Sequence, residues 1–308
     1  MVMNIGMIGL SEGNGHPFSF SAIINGYSPE ALREAGWDVI CNYLEARDPS
    51  EFGFPGVQVT HAWTQSPSLT QSLSEACFIP HQVSEIEELI GKVDAVILAR
   101  DDYEQHAKMA LPLLKAGIPV FIDKPLSLDI HELALLKPYL ESGQLMSCSA
   151  MRYARELDGL RKEIDSYGEL LSLQGTVLNS WEKYGIHLLE AFQSVTPLQP
   201  ISVQYSGTES VSSISIRLEN GTLLQINSIE RATKIFQLDC VGTKQHGTFH
   251  ISDNFSMFRR ALWHFIHSVQ THKPEIPANE TLTLMRILIA GQISKKEDRR
   301  VQIDEIDI

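Results

Sequence analysis

Asp123-Lys124-Pro125 closes the apolar run Val120-Phe121-Ile122, so a lysine stands at the end of a buried strand. An ammonium placed there could polarise an oxygen and stabilise negative charge that develops on it during a reaction. The plainer alternative is an exposed lysine in a turn before Pro125. The residue best suited to proton transfer is His187, because an imidazole titrates near neutrality. A lone helix histidine is more often structural, and both readings stand at this point. Lys183 lies four residues before His187 and Glu190 three after it, positions that share its helix face. Lys183 could disfavour protonation of His187, bind an anionic substrate or serve as the base itself, while Glu190 could orient the ring.

Other clusters carry weaker signals. Arg152 and Tyr153 follow an apolar strand, and a guanidinium there would suit a carboxylate or phosphate, or stand as a surface residue at a domain junction. His264 and His267 have a spacing compatible with a metal. Phe258, Leu262, Phe265, Ile266 and Val269 form the core stripe of the same helix, and no acid is adjacent in sequence. The two histidines are therefore expected on a solvated face, with no metal. Cys41, Cys77, Cys148 and Cys240 are far apart and match no zinc spacing, which suits buried thiols in a reducing cytoplasm.

The elements that must position these residues follow from pattern. Asn4–Gly9, Val57–Trp63, 94–99, Val120–Ile122 and 144–150 read as buried strands. Between them, helices are expected over 18–26, from Ser28-Pro29 through Glu34, over 37–46, from a Ser84/Glu87 capping box to Gly91, over 103–116 with a kink at Pro112, and after Asp129. Such alternation implies a parallel sheet covered on both faces. After residue 150 the character changes. A helix near 155–167 precedes strands at 170–178, 201–206, 212–218, 223–229, 236–241 and 248–251, with a hairpin at Asn220-Gly221 and helices over 184–195, 254–271 and 280–295.

The expected fold class is α/β: an N-terminal Rossmann-type parallel sheet over residues 1–150, then a C-terminal α+β domain over 151–308 with a largely antiparallel sheet. With 308 residues, each half is large enough to bury a core. A net charge of −13 argues against nucleic acid or an anionic membrane as partner. No run of 18 apolar residues is present, and residues 1–10 lack the basic flank of a signal peptide, so a cytoplasmic protein is expected.

His106 with Asp123-Lys124-Pro125, the Gly185-Ile186-His187 helix and the C-terminal run from Phe258 to Ile303 together resemble the glucose–fructose oxidoreductase and inositol dehydrogenase family (Gfo/Idh/MocA) over nearly the whole length. The resemblance implies NAD(P)-linked oxidation or reduction at a sugar or cyclitol carbon, and a homo-oligomer assembled through the C-terminal sheet. It places Lys124 between nicotinamide and substrate, makes His187 the general base, and puts Arg152, Tyr153 and Tyr184 against a sugar-like substrate. The family's G-x-G-x-x-G appears here as Gly9-Leu10-Ser11-Glu12-Gly13-Asn14, with only the first glycine in register. Gly13 and Gly15, with Ser11 and Asn14, could form a shifted phosphate loop, or the segment is a turn without a ligand. At the end of the second strand Thr64 and Gln65 stand where an acid would meet ribose. Arg100 and Asp123 complete the implied cofactor set. Asp123 replaces the usual glutamate, and Lys183 stands where the family often has aspartate. The alternative is a non-catalytic relative that binds a nucleotide or sugar.

Overall fold

Short runs of branched apolar residues bounded by glycine and polar turns build the first sheet. Its strands are β1 (Met3–Ile8), β2 (Val57–Trp63), β3 (His81–Gln82), β4 (Ala95–Leu98), β5 (Val120–Ile122) and β6 (Leu145–Ser147). The structure, a computed structural model, describes residues 2–308. The six strands are parallel in the order β3-β2-β1-β4-β5-β6. Successive strands first build outward from β1 on one side, then return to its other side, so the order reverses between β1 and β4. In an open parallel sheet such a reversal leaves a crevice at the carboxyl ends of the strands.

The helices are α1 (His16–Asn25), α2 (Pro29–Glu34), α3 (Asp38–Glu45), α4 (Pro67–Ala76), α5 (His106–Lys115), α6 (Ile130–Glu141), α7 (Asp158–Glu163), α8 (Trp181–Val195), α9 (Asn254–Thr271) and α10 (Ala278–Glu297). Ser28 caps α2 by accepting from Ala31 N at 3.3 Å, with Pro29 in the first turn as the Ser-Pro pair predicts. Asp129 accepts from His131 N and Glu132 N at the start of α6. The long crossover between β1 and β2 carries α2 and α3. It is tied down by Arg259, which donates to the carbonyls of Glu51 and Gly53 and lies 4.8 Å over the Phe54 ring.

The chain divides into two compact units, 1–127 with 135–147 and 258–277, and 128–134 with 148–257 and 278–308. Residues 258–277, expected with the C-terminal half, thus belong to the first unit. The reason is aromatic packing: Phe258 meets Phe20 at 5.2 Å, and Phe265 meets Phe121 at 5.7 Å.

The second unit is built on β7 (Leu170–Leu178), β8 (Pro200–Gly207), β9 (Val211–Leu218), β10 (Leu223–Ile229), β11 (Phe236–Gly242), β12 (His246–His250) and β13 (Val301–Gln302). The order is β12-β11-β7-β10-β9-β8-β13, antiparallel except for β7 against β10. The Asn220-Gly221 turn joins β9 to β10, with Gly221 at φ +85° where a side chain would be strained. Trp181, 1% exposed, fills the space between α8 and α10 and donates to the Leu288 carbonyl at 3.2 Å. It fits because Gly185 and Gly291 face it; a Cβ on either would come within 2.5 Å of the indole.

Several local expectations are corrected. α1 begins at His16, two residues early, because Pro17 is accommodated in the first turn. α4 was not expected from its polar sequence, although Ser66-Pro67 repeats the Ser28-Pro29 pattern. The capping box near residue 85 is formed by Glu85 and Glu88, not Ser84 and Glu87, and opens only a short 3₁₀ turn. The segments 103–116 and 155–167 are each broken by 3₁₀ turns, and α8 starts at Trp181, three residues before Tyr184.

Candidate active site

In the first unit, the implied cofactor residues and Lys124 gather around the carboxyl ends of β1, β2, β4 and β5. β1 runs into Gly9, whose missing Cβ would lie 2.4 Å from Pro17 Cγ, so α1 packs directly on this turn. The Leu10–Gly15 loop is folded by an Asn14 N–H to Ser11 carbonyl bond of 3.1 Å, with Gly13 at φ +75°. The amides of Ser11, Glu12, Gly13 and Gly15 have no hydrogen-bond acceptor among the described residues, and Gly15 gives α1 no side-chain cap, although Asn14 Oδ1 accepts from the His16 amide at 2.9 Å. Free N–H groups at a helix start offer an anion both donors and a favourable dipole. Glu12 is exposed. These features fit a pyrophosphate in a shifted loop.

Asp123 is buried beneath that loop. Its Oδ2 takes Asn14 Nδ2 at 3.1 Å and the ring Nδ1 of His16, and its Oδ1 takes the Lys124 amide at 2.9 Å. Burial pushes this carboxyl up, but the His16 imidazole and the Lys124 charge outweigh it and hold Asp123 well below the usual carboxylate range. Lys124 is itself buried, with a cis peptide to Pro125, and its Nζ lies 3.9 Å from Asp101 Oδ2. Ser11 Oγ donates to Asp101 Oδ1 at 2.6 Å. His106 braces this end of the sheet from α5, with its ring nitrogens 3.0 Å from the carbonyls of Arg100 and Leu126.

The expected ribose residues divide. Gln65 Oε1 takes the Leu10 amide at 2.9 Å and Arg100 Nη1 at 3.3 Å, so it stands at the crevice as a link between β2 and the loop. Arg100 is engaged by both carboxylate oxygens of Asp102, so its charge is neutralised locally. Thr64 turns away: its hydroxyl donates to the Ser66 carbonyl and meets Thr70 Oγ1 at 2.9 Å, shaping the start of α4.

The second unit holds the other set. His187 is partly exposed on α8, and its Nδ1 lies 2.6 Å from Ser149 Oγ. Tyr184 and Phe236 flank it at ring distances of 4.9 and 5.8 Å, edge-on to the imidazole in both cases. Lys183 is exposed on the same helix. Glu190 does not orient His187. It is buried and bound to Arg152 Nε at 2.6 Å, and burial raises its pKa despite the guanidinium. Arg152 Nη1 reaches Glu280 at 2.9 Å, so the arginine expected to meet an anionic substrate is already paired with two acids. Its neighbour Tyr153 is half-buried. His16, Asp101, Ser149 and Phe236 escaped sequence reasoning. Of these, only His16, one residue past Gly15, had a local signal.

His264 and His267 also meet an acid that sequence proximity did not reveal. Glu275 lies in the following loop and binds the Nδ1 of both rings. All four cysteines are buried and none is in a disulfide. Among the described residues no helix is long and apolar enough to cross a membrane.

Residues 34–149 match the oxidoreductase family of NAD-binding Rossmann fold, Gfo/Idh/MocA. A 114-residue stretch of the chain is 31% identical to a protein proposed as the UDP-kanosamine synthase oxidoreductase subunit of Amycolatopsis mediterranei. That alignment spans 37% of this chain and 32% of the relative, so the chain matches about a third of the relative's length. The fold extends further. Lactobacillus casei scyllo-inositol dehydrogenase, solved with NAD(H) and scyllo-inositol, superposes with a TM-score of 0.76 at 14% identity, covering 99% of this chain and 100% of that one. Lactobacillus casei myo-inositol dehydrogenase, solved with NAD(H) and myo-inositol, gives 0.77 at 13% identity, covering 100% and 98%. The chain therefore shares the fold of these two dehydrogenase structures.

Proposed function

We propose that this chain is an NAD(P)-dependent oxidoreductase acting on a hydroxyl-bearing carbon of a sugar- or cyclitol-like substrate. The observation that carries the reading is Lys124: a buried ammonium at the end of β5, beside the strand-order reversal, in a segment of NAD-binding family. The dinucleotide would be held by the Ser11, Glu12, Gly13 and Gly15 amides, with Gln65 at its ribose end, and would supply the hydride acceptor or donor. Lys124 polarises the reacting oxygen and stabilises charge on it. His187 takes or returns the hydroxyl proton, with its ring fixed through Nδ1 by Ser149. Tyr184 and Phe236 present apolar faces beside it that suit the C–H face of a sugar ring.

A second reading, a non-catalytic relative, is favoured by Lys183, which puts an exposed cation where the family often has an acid. One experiment separates them. The purified protein is titrated with NADH and NADPH by fluorescence, then screened with sugars, cyclitols and sugar acids at the nicotinamide absorbance band. The oxidoreductase reading expects binding and turnover; binding without turnover on any substrate supports the relative. We also propose that the chain forms a cytoplasmic homo-oligomer through the second sheet, whose β7 and β10 carry Gln174, Thr176, Gln225 and Asn227 as partly or fully exposed polar side chains. A monomeric mass in light scattering would contradict the oligomer.

A further inference from the structure

Beside the Lys124 ammonium stands an acid that no motif marks. Asp101 leaves the end of β4, and its side chain is 13% exposed against 4% for Lys124. Its two carboxylate oxygens have different tasks. Oδ2 faces Lys124 Nζ at 3.9 Å, and Oδ1 accepts from Ser11 Oγ at 2.6 Å. The contact with Ser11 is reciprocal, because the Asp101 amide donates back to Ser11 Oγ at 3.1 Å. The carboxylate is thus fixed at one oxygen by the loop after β1 and turned toward the lysine with the other.

We propose that Asp101 is a positioning residue: it sets the Lys124 ammonium for reaction and ties it, through Ser11, to the dinucleotide loop. This role rests on the oxidoreductase reading; the ion pair itself does not. A lysine has four rotatable bonds and a compact charge, so it holds one geometry only when a fixed partner selects it. Of the acids at these strand ends, Asp123 is engaged by Asn14, His16 and the Lys124 amide. Asp102 is likewise occupied by Arg100. Asp101 turns its second oxygen toward the ammonium, with Oδ2 3.9 Å from Lys124 Nζ. The arrangement gives the loop a mechanical hold on the reacting lysine: a phosphate drawn to the Ser11 amide would act on the same residue whose hydroxyl fixes Asp101.

Asp101→Asn isolates the ion pair. The amide oxygen can still accept from Ser11, and the backbone bond to Ser11 Oγ is kept, but the charge facing Lys124 is lost. Full-length protein labelled with ¹³C-lysine reports Lys124 directly, its signal assigned by loss in Lys124→Arg. In the cofactor-free protein, Asp101→Asn is expected to move and broaden that signal, and Ser11→Ala to move it less. With a substrate in hand, Asp101→Asn should lower kcat by roughly 10- to 100-fold with KM little changed, the cost of a misplaced reacting group. Asp101→Glu should recover part of the loss, which a purely structural role would not produce. An unchanged Lys124 signal in Asp101→Asn overturns the proposal, as does a kcat within twofold of wild type. If Asp101→Asn does not fold, Ser11→Ala and Asp101→Glu carry the same signal test. Failure of the wild type to bind NADH or turn over any substrate would instead count against the oxidoreductase reading, while the cofactor-free signal still decides the ion pair.

Discussion

Asp123 shows how much of this molecule turns on single side chains in unusual surroundings. A buried carboxylate is tolerable only when its oxygens are satisfied, and three donors from two parts of the chain converge on this one. Its native pKa lies below the unfolded value of about 3.9. The sign of the linkage follows: the carboxylate stabilises the fold in full above that unfolded value, and the contribution fades as pH falls through and below it. Asp123→Asn should therefore cost about 2 kcal/mol at pH 7. Urea unfolding at pH 7 and pH 3 should show the gap to wild type narrowing in acid; a constant gap would mean that the charge of Asp123 contributes nothing. At this scale the sequence was only partly legible. Asp123 and Lys124 stood out because a motif of consecutive residues marks them. The partners that fix their geometry, His16 and Asp101, lie 107 and 23 positions away in the chain, and no local pattern links them.

Elements were read best where a short-range cause dominates. Ser28-Pro29, Asp129 and Asn220-Gly221 each shape the backbone within a few residues, and each produced the expected cap or turn. Legibility failed where packing decides. β13 is two residues long and exists because it pairs with β8, and α4 is a polar stretch whose buried face, Thr70, Leu73, Ser74 and Ala76, takes shape only against the first sheet and its neighbours. The α8–α10 contact around Trp181 is of this second kind. Gly291 is a weak helix former inside α10, yet it leaves the space in which the indole sits. Gly291→Ala should thus destabilise the protein by about 1–3 kcal/mol through overpacking, even though alanine is the better helix former. A chemical denaturation midpoint equal to or above wild type would show that α10 can shift away from Trp181 at no cost.

At the scale of the whole chain, the α/β class with one parallel and one largely antiparallel sheet followed from strand spacing and the change of pattern after residue 150, whereas α9 did not follow. Its residues from Phe258 onward pack with the first unit through Phe20 and Phe121, a long-range preference that an amphipathic stripe cannot disclose. The chain's acidity, −13 in all, leaves Lys124 as a cation set among acids in the crevice of the first unit, where a preorganised charge has most effect. The role of Lys124 is decided by the turnover of Lys124→Ala against wild type on a substrate found by the screen, with NADH affinity measured alongside. A loss of roughly 100-fold or more in turnover is expected, with NADH binding largely retained because the loop amides and Gln65 are untouched. Near-normal turnover by Lys124→Ala would contradict it.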